Sequence, residues 1–250
     1  MPIASKDFMK WIARSVLCAL VLCGIGAAFL AQGATVTGRV SLLRTNGAAR
    51  TDSNTGIVIW LEPIPKQPGV AKNREGTSRP QIVQHNKRFE TRVLAVEVGS
   101  VVDFPNRDPF FHNVFSMFDG KRFDLGLYEA NSTKSVRFDK PGVCYIFCNI
   151  HSQMSAAVVV VDTPYFVLLN TPGEFQIPQL PAGRYQLNVW AERCSRETLK
   201  MASRQITVEG PSASLGTIQL RESRELVDAH SNKYGKDYES PVFTGPYFQP

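Results

Sequence analysis

Short runs of β-branched and aromatic residues, cut off every few positions by Gly, Pro or Asn, recur along almost the whole of this chain. They fall at residues 35–43, 56–61, 88–98, 100–104, 112–118, 133–138, 143–148 and 156–162, then at 165–169, 175–177, 184–191, 205–208 and 215–220. Such side chains suit a pleated, half-buried surface, and this spacing points to β-sandwiches rather than alternating strand and helix. The expected fold class is all-β, with a weak helical pattern only at 195–202. Residues 67–79 (QPGVAKNREGTSR) are polar and without periodicity, so they read as a loop or linker. Residues 222–250 hold little aliphatic content and read as a tail, ordered only if Tyr234, Tyr238, Phe243, Tyr247 and Phe248 dock somewhere.

The N-terminus is built differently. Lys6, Lys10 and Arg14 precede an uncharged stretch from Ser15 to Ala31, which ends in Ala31-Gln32-Gly33. Residues 1–33 therefore read as a signal peptide, with an uncleaved membrane anchor as the alternative. Export implies a periplasmic or secreted protein, with no membrane attachment once the signal is removed. Removing residues 1–33 takes three of 28 basic and one of 22 acidic residues, which leaves a formal net charge of +4. No run of Lys and Arg interleaved with aromatics exists, so nucleic-acid binding has no support. Of the five cysteines, Cys18 and Cys23 leave with the signal, and Cys144, Cys148 and Cys194 remain. An odd count leaves at least one thiol unpaired: a metal ligand, a reactive thiol or a small buried hydrophobe.

Cys148, His151 and Met154 stand together between the apolar run at 143–148 and the apolar run at 156–162. A strand-to-strand loop reverses the chain, so it can turn a thiolate, an imidazole and a thioether toward one point. Two imidazoles, one thiolate and a weak axial thioether form the set that suits copper in both its oxidation states, whereas zinc more often recruits a second Cys or a carboxylate. The second imidazole must come from elsewhere, and His112 is the candidate.

Two motifs carry a family resemblance: Val102-Asp103-Phe104-Pro105-Asn106-Arg107-Asp108 leading to His112-Asn113-Val114-Phe115-Ser116, and Pro141-Gly142 leading to Cys148-Asn149-Ile150-His151 and Met154. Residues 80–162 resemble the plastocyanin/azurin (cupredoxin) family, in its bacterial secreted branch often labelled methylamine-utilisation or plastocyanin-like protein. The resemblance implies a Greek-key β-sandwich holding one copper ion, with His112, Cys148 and His151 as equatorial ligands and Met154 as the axial one. Asn113 and Asn149 would then brace the ligand loops. Cys144 opens a binuclear alternative, but a strand from 144 to 148 would hold the two sulfurs about 13 Å apart. Cys144 is thus expected in the core, with a Cys144–Cys194 disulfide left open. Of the remaining histidines, His85 and His230 read as surface residues, and they are too few for a second catalytic copper.

Residues 35–64 and 163–221 resemble two pieces of a carboxypeptidase-regulatory-like, transthyretin-type sandwich, on the strength of Gly38-Arg39-Val40 and Leu180-Pro181-Ala182-Gly183-Arg184-Tyr185. The cupredoxin-like segment would be inserted into it, with two consecutive domains as the alternative. The expected function is a one-electron carrier, not an enzyme. Its partner would be a redox protein such as a cytochrome or periplasmic dehydrogenase, met through His151 and an apolar patch of Phe110, Phe111 and Ile150. Copper delivery is the runner-up, and a structural module without metal a third possibility.

Overall fold

The computed structural model describes residues 33–52, 55–66, 78–117, 121–223 and 232–238. The expected signal peptide, His230 and most of the 67–79 loop lie outside these residues. Among the described residues the fold is all-β with one short helix. Among the described residues no helix is long and apolar enough to cross a membrane.

β1 (Ala34–Leu43) shows the period of a half-buried strand: Ala34, Val36, Val40 and Leu42 are buried, while the residues between them are partly or fully exposed. β2 (Ile57–Ile64) instead buries Ile57, Val58 and Ile59 in succession, and then Leu61. Both of its faces are covered, and near-continuous apolar sequence is what such a strand requires. β1 forms a three-stranded sheet with β13 (Glu174–Leu180) and β16 (Ser212–Arg221) on its two sides. β2 lies between β12 (Phe166–Leu169) and β14 (Gly183–Ala191), with β15 (Arg204–Val208) at the edge. One apolar core, including Val36, Leu42, Ile59, Ile177, Leu187 and Leu220, joins these two sheets. The helix α1 (Arg196–Ala202) starts at Ser195, whose side chain accepts a hydrogen bond from the Thr198 amide.

Between β2 and β12 the chain builds a second layered unit. A hairpin of β3 (Gln84–His85) and β4 (Arg88–Phe89) comes first. β5 (Val93–Glu97), β7 (His112–Ser116), β8 (Phe123–Tyr128), β10 (Gly142–Phe147) and β11 (Ser155–Val161) then form a sheet in the order β5-β11-β10-β7-β8. β6 (Val101–Pro105) pairs with β9 (Thr133–Arg137). Val102, Phe104 and Val136 from this pair share a core with Cys144, Ile146, Val158 and Val160 from the larger sheet.

From Ala156 onward β11 is apolar because it serves two cores. Ala156, Val158 and Val160 face the β6–β9 side, while Ala157, Val159 and Val161 pack with Val58 and Trp190 of β2 and β14. Gly56 marks the close approach of the two units: its φ is +53°, and a Cβ there would lie 2.2 Å from Val93 Cγ2.

Three sequence expectations change in detail. The run at 88–98 divides into β4 and β5 at Glu90-Thr91-Arg92. β8 was not expected, since Gly126, at φ 65°, breaks its alternation and much of the strand is partly exposed. The Cys144–Cys194 disulfide does not form: both thiols are free. Cys144 Sγ lies 3.2 Å from Ser116 Oγ in one core, and Cys194 packs against the other.

Candidate metal centre

Strand register brings the two halves of the site together. β10 and β7 run antiparallel with Phe147 opposite Phe115. Continuing that register past the end of β10 sets Cys148 opposite Val114 and Asn149 opposite Asn113. Side chains two apart share a face, so Cys148, Val114 and His112 point the same way. Beyond Cys148 the chain folds back at once: the Met154 amide donates to the His151 carbonyl at 3.0 Å, and the Cys148 amide to the Met154 carbonyl at 3.2 Å. This reversal returns His151 toward Cys148.

The result is a cluster of three donor atoms within 4.8 Å of one another, from His112, Cys148 and His151. His112 Nδ1 is 3.8 Å and His151 Nδ1 3.7 Å from Cys148 Sγ. An ion bonded to sulfur at ~2.3 Å and to nitrogen at ~2.0 Å, with an angle near 120°, sets S and N about 3.7 Å apart. Each sulfur–nitrogen spacing therefore fits an ion shared between Cys148 and that imidazole. Met154 is fully buried and belongs to the same apolar cluster as Cys148. Cys144 contributes no donor to this cluster.

His112 is oriented by a carboxylate. Its Nε2 lies 2.7 Å from Asp108 Oδ2, with both side chains buried. A carboxylate only accepts, so Nε2 carries the proton and Nδ1 offers its lone pair on the side of Cys148. Asp108 is held in turn by the amides of Asn86 at 2.7 Å and Lys87 at 2.9 Å. Those amides sit in the β3–β4 turn, where Asn86 and Lys87 both adopt positive φ, 53° and 55°. A two-residue hairpin with two left-handed residues matches the twist of its strands, and here it also presents two N–H groups to Asp108. Burial works against the charge on Asp108, but the hydrogen bonds from Lys87, His112 and Asn86 outweigh it and hold the carboxyl below its ordinary pKa.

Burial raises the Cys148 pKa, an effect partly offset by the backbone N–H groups of Asn113, Ile150 and His151. Burial lowers the His151 pKa, and the nearby His112 and Lys87 add to this while Asp108 opposes it. The neutral imidazole, the form that can ligate, is thereby favoured. Phe110 stands beside both histidines, its ring centroid 5.2 Å from that of His112 and 5.9 Å from that of His151. Phe111 and Ile150 are 56% and 46% exposed, so these two residues form surface, not core. His85 is also on the surface, with Nδ1 2.9 Å from Glu90.

No protein-family model matches the chain, and no curated protein does. Similar solved structures include a Cu(I) form of an amicyanin mutant, 21% identical, covering 44% of this chain and 100% of that one with a TM-score of 0.32. A reduced amicyanin mutant is 25% identical over 34% of this chain and 83% of that one, with a TM-score of 0.32. A purple cupredoxin from Nitrosopumilus maritimus is 22% identical over 33% of this chain and 99% of that one, with a TM-score of 0.30. At TM-scores this low, fold and site rest on the strands and side chains described above.

Asn113 and Asn149, expected to brace the ligand loops, bond to each other: Asn113 Oδ1 accepts from the Asn149 amide at 3.3 Å. Other supporting residues escaped the sequence reading. Asp108 was visible as a carboxylate four positions before His112, and Asn86-Lys87 as a turn signal between short runs. Tyr238, which reaches the same loop from the tail, was visible only as one of several aromatics that could dock, and Lys233 gave no local signal.

Proposed function

We propose that this chain is an exported, mononuclear blue-copper protein of the cupredoxin type that carries single electrons. The observation that carries the reading is the meeting of two imidazole Nδ1 atoms at the Cys148 sulfur, 3.8 and 3.7 Å away, with Met154 buried on the same short loop. Copper bound there would alternate between Cu(I) and Cu(II), taking up and releasing one electron. His112, Cys148 and His151 would hold it, with Met154 as a weak fourth donor.

The protein's part is to keep these donors in place in both states. Asp108 fixes the His112 ring, and the packed cluster around Cys148 and Met154 excludes water. His151 is only partly buried and follows the exposed Ile150, while the exposed Phe111 precedes His112, which suits electron exchange with a docked redox protein.

The test is to add Cu(II) to purified metal-free protein. One copper per chain, an intense visible thiolate band, a single-copper paramagnetic resonance signal and a reversible potential at constant occupancy are expected. A resonance shared between two coppers, or rapid loss of Cu(I) to a metal-free acceptor protein, would replace this reading with a binuclear site or copper delivery.

A further inference from the structure

A polar tail with little aliphatic content has no core of its own, so any fixed position it takes must come from specific contacts. Residues 232–238 form a compact turn in which Asn232 Oδ1 accepts from the amides of Tyr234 at 2.9 Å and Lys236 at 3.1 Å. The Asn232 amide donates to the Lys236 carbonyl at 2.8 Å, and Gly235 supplies the positive φ of 72°. This is an Asn-centred turn of the kind that needs no neighbour to close it.

The turn nonetheless reaches the metal centre. Tyr238 Oη donates to the Cys148 carbonyl at 2.7 Å. That carbonyl lies just beyond the last ladder residue of β10, where a backbone acceptor must find a partner other than a strand. The Lys233 amide donates to Asn149 Oδ1 at 3.0 Å, and Lys233 Nζ bonds Asp124 Oδ2 at 2.8 Å. Asp124 Oδ1 accepts from Asn113 Nδ2 at 2.7 Å, and Asn113 Oδ1 accepts from the Asn149 amide. Asn113, Asp124, Lys233 and Asn149 thus form a closed ring of hydrogen bonds. It ties the residue after His112 to the residue after Cys148, with the tail as one side of the ring. The Lys233–Asp124 ion pair is partly exposed and adds little alone; the bonds to Cys148 and Asn149 do the positioning.

We propose that residues 232–238 are a strap belonging to the metal centre, positioning the Cys148–Asn149 end of the ligand loop and so governing how firmly copper is retained. The retention part rests on the copper reading above. Tyr238, Lys233 and Asn232 are positioning residues, since they act through the loop backbone and not on the ion.

The test uses the full chain with Tyr238→Phe, Asn232→Ala and both together, changes confined to the tail. Loss of Cu(I) to an excess of a Cu(I) chelator is timed, and amide hydrogen exchange at residues 148–154 is measured in the metal-free protein. Tyr238→Phe should speed copper loss about 2- to 10-fold, the weight of one hydrogen bond. The double variant should speed it about 10- to 100-fold, as removal of supporting partners does at other metal sites. Loop amides should exchange faster in both, with the unfolding midpoint of the sandwiches unchanged. Wild-type copper loss and wild-type exchange in the double variant would overturn the strap. If the wild-type protein takes up no copper, it is the copper reading that fails, and the exchange rates alone decide the strap.

Discussion

Replacing Asp108 with Asn changes one atom and a charge at the most deeply supported position of the site. Asp108 accepts three hydrogen bonds: from the Asn86 amide on Oδ1, and from the Lys87 amide and His112 Nε2 on Oδ2. Asparagine has one oxygen and one NH2 group. With its oxygen in the Oδ2 position it keeps Lys87 and His112, but turns a donor toward the Asn86 amide. Losing a charged acceptor and one buried partner should destabilise the metal-free protein by about 1.5–3 kcal/mol, read from urea unfolding. The same change removes a negative charge roughly 7 Å from an ion held on His112 Nδ1, a Coulomb interaction of about 2.4 kcal/mol at an effective dielectric of 20. For a one-electron couple that corresponds to about 100 mV. The sign is definite: an anion favours Cu(II) over Cu(I), so Asp108→Asn should raise the reduction potential, measured by voltammetry on the copper-loaded variant. An unchanged or lowered potential, with copper still bound at one per chain, would show that Asp108 carries no charge that the metal feels.

Cys148→Ser should abolish the intense visible absorption of the Cu(II) protein, while Cys144→Ser, which alters only a core thiol beside Ser116, should leave it. Met154→Gln should keep copper bound and lower the potential, since an amide oxygen favours Cu(II), and Met154→Leu should raise it; identical potentials in both would make Met154 a packing residue. Gly56→Ala combines a left-handed φ with a Cβ only 2.2 Å from Val93 Cγ2, so it should destabilise the protein by about 1–3 kcal/mol or more without moving the visible spectrum. Chemical denaturation of the Gly56→Ala protein, beside its copper spectrum, checks both halves of that expectation.

How much could be read in advance varies with the physics of each element. β11 was evident because burial on both faces demands an unbroken apolar run, and β1 because one buried face imposes alternation. α1 was visible only as a weak helical pattern at 195–202. β8 was hidden because Gly126 interrupts its pattern and its partial exposure removes the pressure for apolar residues. The free thiols of Cys144 and Cys194 show the limit of cysteine counting, since pairing depends on which core each strand faces.

The all-β class, and the side chains able to serve as metal donors, follow from the order of residues alone. Apolar periodicity follows from local backbone geometry, and donor chemistry belongs to the side chain wherever it sits. What those donors have for neighbours depends on how distant strands and turns pack. The pairing of Phe147 with Phe115 carries Cys148 to His112, and the left-handed turn at Asn86-Lys87 places two amides on Asp108. The tail hydrogen-bonds a loop 84 to 90 positions earlier. Each of these is a long-range contact made when separate strands and turns meet, and a contact between residues far apart leaves no periodicity in the stretch of chain on either side.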